Sequence, residues 1–128
     1  MRRTVLVITA LAIGLGACFE VLAQTHEFVS ITVTNDKIDM PVPNPVHITG
    51  RGHVIHWEIK TPGYTFAANG IAIQGDDAHE FDGGHLAEQG KKYQMNDKNS
   101  FKKEYKYTVN VMKGATRLTP LDPSILND

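Results

Sequence analysis

The sequence contains a single cysteine and a single tryptophan among its 128 residues. The cysteine, Cys18, lies in an N-terminal apolar stretch, so the rest of the chain has none. A domain without cysteine has no disulfide, no thiolate metal ligand and no cysteine nucleophile. This absence excludes the thiol-dependent classes of enzyme and metal protein for the part of the chain that follows Cys18.

Recognisable catalytic motifs and an excess of charge are also absent. The sequence has no Gly-x-Ser-x-Gly elbow, no His-Glu-x-x-His pair and no phosphate-binding glycine loop. Its formal net charge is -1, so bulk electrostatics favours neither nucleic acid nor an anionic membrane as a partner. We therefore expect a protein that is not an enzyme and does not bind nucleic acid.

The N-terminus has the pattern of a secretory leader. A basic start, Met1-Arg2-Arg3, precedes an apolar run over residues 4–17. The run is shorter than the roughly 20 residues that a spanning helix needs, and it is typical of a signal peptide. We expect residues 1–23 to be removed and residues 24–128 to form one domain that is periplasmic or secreted.

The leader offers two processing sites. Val21-Leu22-Ala23 suits cleavage that releases a chain starting at Gln24. Leu15-Gly16-Ala17-Cys18 resembles the lipobox of bacterial lipoproteins, in which Cys18 would be lipidated. In that alternative the protein is an outer-membrane lipoprotein, and Cys18 is its membrane contact.

Strict alternation along the chain predicts β-strands. In residues 104–112, Tyr105, Tyr107, Val109 and Val111 share one face, which indicates the central strand of a sandwich. Residues 53–60 place Trp57 inward, at the centre of the core. With other short strands separated by turn signals, the pattern predicts an all-β, Greek-key β-sandwich of about seven strands.

Two other segments carry specific expectations. The section from Gln74 to Gly90 reads as irregular, with a helical turn at residues 85–89, and residues 90–99 read as a polar loop. The tail over residues 121–127 is apolar enough to pack against the sandwich, so we expect it to be ordered.

The order of these motifs resembles that of cupredoxin-like proteins. Pro45-Val46-His47-Ile48, followed by Val54-Ile55-His56-Trp57, is similar to the second and third strands of small blue copper proteins. Tyr105-x-Tyr107-x-Val109 resembles the strand that carries their copper cysteine. The chain also resembles a group of small exported bacterial proteins that end in a similar strand and a Leu-Asp-Pro tail, here residues 121–123. The resemblance implies a plastocyanin- or azurin-like fold.

The copper ligands of that family are missing. Phe66 stands near the position of the first histidine ligand, and Val109 stands at the position of the cysteine. Residues 110–114 form a hairpin turn in place of the loop that carries the remaining ligands. Because a blue copper site requires two histidines and a thiolate, we expect no type 1 copper site.

Six histidines still make a metal site of another kind a hypothesis. The richest cluster, residues 76–85, contains His79, Asp82 and His85, and its imidazoles and carboxylates suit Zn²⁺, Cu²⁺ or Ca²⁺. His47 and His56 both face outward if their apolar neighbours face inward. His53 and His56 are three apart on a strand and should face opposite ways.

Two functional hypotheses follow. The first is a monomeric, non-catalytic binding module without a cofactor, which docks an envelope protein or a small ligand. The alternative is a periplasmic copper- or zinc-binding protein that uses the surface histidines and carboxylates named above.

Overall fold

The computed structural model describes residues 3–9, 22–76 and 79–128. In these ranges the chain forms strands and turns, with one short 3-10 turn at Glu88–Gly90 as its helical element. None of the helical structure in these ranges is long and apolar enough to cross a membrane. The predicted all-β class is therefore confirmed.

The described ranges contain twelve strands, more than the seven predicted. In chain order they are β1 (Arg3–Thr9), β2 (Leu22–Ile31), β3 (Val33–Thr34), β4 (Lys37–Ile38), β5 (Val46–Ile48), β6 (His53–Ile59), β7 (Thr65–Ile73), β8 (Phe81–Ala87), β9 (Lys92–Asp97), β10 (Lys103–Lys113), β11 (Thr116–Arg117) and β12 (Ser124–Asn127). Part of the excess comes from two-residue strands, which are too short to show a periodic pattern.

The strands form two sheets of five and a small ribbon. The first sheet has the order β1-β2-β6-β9-β8, in which β2 and β6 run parallel. The second has the order β11-β10-β12-β5. Its fifth strand, β7, lies outside this order and pairs antiparallel with β10. The ribbon β3-β4 turns at Asn35 and Asp36, both of which have positive φ.

The core lies between the two large sheets. Trp57 of β6 and Tyr107 of β10 are fully buried, and their ring centroids are 5.5 Å apart. Phe81 of β8 meets Tyr105 of β10 edge to face at 5.0 Å. These contacts join one sheet to the other and confirm the predicted sandwich, with Trp57 in its core and β10 as a central strand.

The prediction for residues 74–99 was wrong. About half of this section is strand, because residues 81–87 form β8 and residues 92–97 form β9. On β9 the alternation is present, but its third inward residue is the acid Asp97, which hides the pattern. On β8, an edge strand, only Phe81 is buried, so the sequence has little hydrophobic signal.

The C-terminal tail is ordered, as predicted. Strand β12 lies between β10, to which it is antiparallel, and β5, to which it is parallel. Its Ile125 is fully buried. The tail is therefore an interior strand of the second sheet.

The predicted leader overlaps two strands. Strand β1 pairs antiparallel with β2 from Arg3 opposite Phe28 to Thr9 opposite Leu22. The division into a leader of residues 1–23 and a domain of residues 24–128 stays a prediction. Cys18, the predicted lipidation site, lies outside the described residues.

Candidate metal centre

The outer face of the first sheet carries a group of partly buried rings. On β2, Glu27, Val29 and Ile31 are buried, so the alternate residues His26 and Phe28 lie on the outer face. On β6, His56 lies between the buried residues Ile55 and Trp57 and faces the same way. Because Phe28 is directly opposite His56 in the parallel pairing, the three rings come together.

The two imidazoles are in direct contact. Nδ1 of His26 lies 2.7 Å from Nε2 of His56, and the ring centroids are 5.0 Å apart. The ring of Phe28 stacks on the other side of His56 at 4.9 Å, with an angle of 14° between the planes. His56 is therefore held between two rings, and one of its nitrogens faces a second imidazole.

The surroundings of His56 favour its neutral form. Burial lowers the pKa of His56, and the nearby charges of His26, Lys92 and His85 lower the pKa further. A neutral imidazole has a free lone pair and is the form that binds metal ions.

His85 lies in the same row of side chains. His56 is opposite Gln94 on β9, and Gln94 is opposite His85 on β8. Nδ1 of His85 lies 2.8 Å from the carbonyl oxygen of Gly83. Because a carbonyl can only accept, Nδ1 carries the hydrogen, and Nε2 of the neutral ring keeps its lone pair. A hydrogen bond of this kind orients many metal-binding histidines.

The other predicted ligands lie elsewhere or have partners. His47 is on β5 in the second sheet, where its Nε2 lies 3.1 Å from Oδ2 of Asp128. His79 precedes β8, is exposed, and has a positive φ of 52°. Asp82 accepts a hydrogen bond from Nδ2 of Asn96 at 3.1 Å. The structure therefore does not place His47 beside His56.

A single chain offers a pair of ligands rather than a complete set. No three His, Cys, Asp or Glu side chains in residues 22–76 and 79–128 are grouped closely enough to hold a metal ion. The pair is His26 with His56. As predicted, His53 points the opposite way from His56 and is buried.

Sequence reasoning missed His26. The alternation of Val29, Ile31 and Val33 with polar residues breaks at the start of the strand, where the buried residue is the acid Glu27 and the outward-facing residue is Phe28. The sequence pattern therefore did not show which face His26 occupies. The parallel pairing with β6, which brings His26 to a histidine 30 residues away, was not readable from either strand alone.

The residues that the cupredoxin-like resemblance places at the copper-ligand positions are part of the core. Val109 is fully buried and Phe66 is 4% exposed, and Phe66 is paired with Val111 across β7 and β10. The residues at these positions provide no metal ligand. The cupredoxin-like resemblance itself stays a prediction from the sequence.

A second cluster of polar residues is buried at the inner side of the first sheet and in the loop next to it. Glu80, 1% exposed, accepts hydrogen bonds from the backbone N–H groups of Ser100 and Phe101 at 2.8 and 2.7 Å. It also accepts one from the Ser100 hydroxyl. Because this hydroxyl donates to a carboxylate rather than to a histidine, the geometry is not that of a serine hydrolase triad.

Asp97 is the second buried carboxylate of this group. It accepts hydrogen bonds from the Asn99 backbone N–H at 2.9 Å and from Nδ2 of Asn127 at 3.0 Å. Burial raises the pKa of Asp97 to about 6, although these two hydrogen bonds act in the opposite direction. The group joins β9, the following loop and β12, so we assign it a structural role.

Comparison of the sequence with protein-family models and with curated proteins gave no match.

Proposed function

We propose that this protein is an exported, non-catalytic binding module of the cell envelope, and that its ligand is a divalent transition metal ion, Cu²⁺ or Zn²⁺, bound by His26 and His56. The observation that carries the proposal is the distance of 2.7 Å between Nδ1 of His26 and Nε2 of His56 on adjacent strands.

This distance is close to the one that a shared ion requires. Two nitrogens bound to one tetrahedral zinc ion, each at about 2.0–2.1 Å, lie about 3.3 Å apart. To share an ion, the two rings need to separate by about half an ångström through side-chain rotation. The hydrogen that lies between the two nitrogens also has to move to the other nitrogen of its ring, so that both contacting nitrogens present a lone pair. Both histidines are partly exposed, so an ion can reach them from solvent.

The type of ligand selects the type of ion. Imidazole nitrogens suit zinc and copper, whereas calcium and magnesium prefer carboxylate and carbonyl oxygens. His85, in the same row, is the nearest further imidazole by strand register. We assign it a supporting role at the edge of the site.

A titration of the exported chain, purified without a histidine tag, tests the metal proposal. We expect Zn²⁺ and Cu²⁺ to bind in isothermal titration calorimetry, and the His56→Ala variant to bind at least tenfold more weakly. His47→Ala is the matched control, because His47 lies in the other sheet beside Asp128. Unchanged binding by a double variant, His26→Ala with His56→Ala, would falsify the proposal.

The location is tested separately by the intact mass of the exported protein. The basic start and apolar run of residues 1–17 support export. We expect a mass that corresponds to a chain starting at Gln24. A chain that starts at Cys18 and carries acyl groups would instead identify an outer-membrane lipoprotein.

A further inference from the structure

The edge of β2 that faces away from β6 is defined by the direction of its backbone groups. The N–H of Thr25 donates to Gly52 O at 3.3 Å, and Ile31 O accepts from Lys60 N at 2.8 Å, so odd-numbered residues bond toward β6. Ser30, an even-numbered residue, exchanges two hydrogen bonds with Val42 on the opposite side, at 2.9 and 3.0 Å.

Alternation along the strand extends this pattern to the start of β2. Gln24, His26 and Phe28 have the same parity as Ser30, so their N–H and C=O groups point away from β6. In the described structure these residues are opposite Val7, Val5 and Arg3 of β1. Those three partners all lie within the predicted leader.

Removal of residues 1–23 therefore exposes one regular segment of edge. The rest of this edge stays covered, because Ser30 keeps its two backbone hydrogen bonds with Val42. The Thr32 carbonyl also accepts a hydrogen bond from Asp39 N at 2.9 Å. The opposite edge of the sheet, β8, has a register shift between Asp82 and His85. Such irregularities protect an edge from strand addition, and the segment 24–28 has none.

We propose that a second copy of this chain pairs with segment 24–28 and brings its own His26 and His56 to the metal site, so that the two copies share one ion on the two-fold axis. This inference rests on the proposed metal function and names the partner in that function. In a two-fold antiparallel pairing centred on His26, Gln24 is opposite the second copy's Phe28, and His26 is opposite the second copy's His26. This symmetric register uses all three outward-facing residues of both copies.

The pairing completes a site that one chain leaves incomplete. Directly opposed residues that exchange hydrogen bonds have Cα atoms about 5.5 Å apart, and their side chains lie on the same face. His26 then has an imidazole on each side, its own His56 and the second copy's His26. With the second copy's His56, four imidazoles surround the two-fold axis, which is the number that one tetrahedral zinc ion takes, whereas no group of three ligands exists within the described part of one chain.

The mass of the exported chain in solution tests the pairing. Light scattering after gel filtration should give a dimer when Zn²⁺ is present, and metal analysis should give one ion for two chains. A monomer with and without Zn²⁺ would overturn this inference. If that monomer still binds metal through His26 and His56, the proposed function stands on its own. Two ions per dimer would also overturn it, because an ion shared on the two-fold axis gives one ion for two chains.

Backbone bonding at the edge is tested by two substitutions at Phe28. Phe28→Ala and Phe28→Pro both remove the ring, but only proline removes the outward-facing N–H. We expect the alanine variant to dimerise and the proline variant to stay monomeric. Equal dimerisation by both variants contradicts the pairing. Fluorescence of the single tryptophan, Trp57, reports whether each variant is folded.

A cross-linking experiment tests the register even if Phe28→Pro fails to fold. The chain from residue 24 has no cysteine of its own. Cα atoms about 5.5 Å apart are within the range that a disulfide spans, about 4.4–6.8 Å. His26→Cys should therefore form a covalent dimer on oxidation. Ser30→Cys is the control, because Ser30 pairs with Val42, and cross-linking of both variants to the same extent would exclude this register.

Discussion

Strands β2 and β6 carry two cross-strand pairs that contain histidine, one on each face of the same sheet. On the outer face, His26 meets His56 at 2.7 Å and both rings are partly exposed. On the inner face, Nδ1 of His53 lies 3.7 Å from Oε1 of Glu27, and both side chains are 4% exposed. The same two strands therefore offer one pair to solvent and enclose the other.

The difference between the two pairs follows from parity and burial. His53 and His56 are three residues apart, so their side chains lie on opposite faces of β6. The inner imidazole also donates through Nε2 to the carbonyl of Thr49. A carboxylate and a carbonyl hold His53 in place, whereas His56 faces another imidazole. We conclude that burial gives the inner pair a structural role and leaves the outer pair available to a ligand.

The largest expected effect is a difference in unfolding free energy between a variant of the inner pair and a variant of the outer pair. His53→Ala should lower the free energy of unfolding by about 4 kcal/mol, because it breaks a buried pair and opens a cavity beside Glu27. His56→Ala, on the outer face, should lower it by about 1 kcal/mol or less. Urea unfolding followed by Trp57 fluorescence measures both. Equal losses would remove the distinction between the two faces.

The second prediction concerns pH and the inner side of the sheet. Burial raises the pKa of Asp97 from 3.8 for the free side chain to about 6 in the folded protein, and the nearby acids Glu80 and Asp76 add to the increase. His53 is opposite Asp97 on β6. Because the folded state holds this proton more tightly, the contribution to stability is complete below pH 3.8 and is lost as the pH rises to about 6.

We therefore expect the unfolding free energy of the wild type to fall between pH 4 and pH 7, relative to Asp97→Asn, by about 3 kcal/mol. Parallel urea titrations of the two proteins at several pH values measure this difference. A difference that stays constant across this range would show that the pKa of Asp97 is the same in the folded and unfolded states.

A smaller effect is expected at Glu80. Glu80→Gln weakens three hydrogen bonds to a buried carboxylate and should cost about 2 kcal/mol of unfolding free energy. Glu58→Gln is the matched control, because Glu58 is paired with Lys60 on the exposed surface and should cost about 0.5 kcal/mol or less. A Glu80 variant as stable as its control would mean that these bonds do not hold the loop.

The smallest effect belongs to the outer face. Phe28→Ala removes the ring that stacks on His56 and should cost about 1 kcal/mol. Phe101→Ala is the control, because Phe101 is 55% exposed and its contact with Glu80 is made by the backbone. We expect no measurable change for it by thermal unfolding. A larger loss of stability for Phe101→Ala than for Phe28→Ala would contradict the contribution assigned to the stacking of Phe28 on His56.

The sequence predicted strands well where apolar residues alternate with polar ones. This is why β6 and β10 were placed correctly, including the inward-facing Trp57 and Tyr107. It failed for β8 and β9, because Gly83 and Gly84 carry no side chain and Asp97 is a buried acid. The rule that links alternation to burial needs apolar side chains, and these strands have few.

The candidate site was only half predictable for a different reason. His56 could be placed on an outer face from its own strand. Its partner, His26, could not be identified, because β2 and β6 are parallel neighbours joined by a long connection. The sequence of neither strand indicates that the other lies beside it. The sequence also suggested His47 as a neighbour, whereas the topology places His47 in the opposite sheet.

The position of β12 has a consequence for the neighbouring strand β5. Strand β12 lies inside the second sheet, and β5 has β12 as its strand partner in the described topology. Deletion of residues 124–127 would therefore leave β5 without a partner. Val46 and Ile48 of β5, both fully buried, would lose the strand that holds them in the sheet, so residues 124–127 control whether β5 can add to the sandwich.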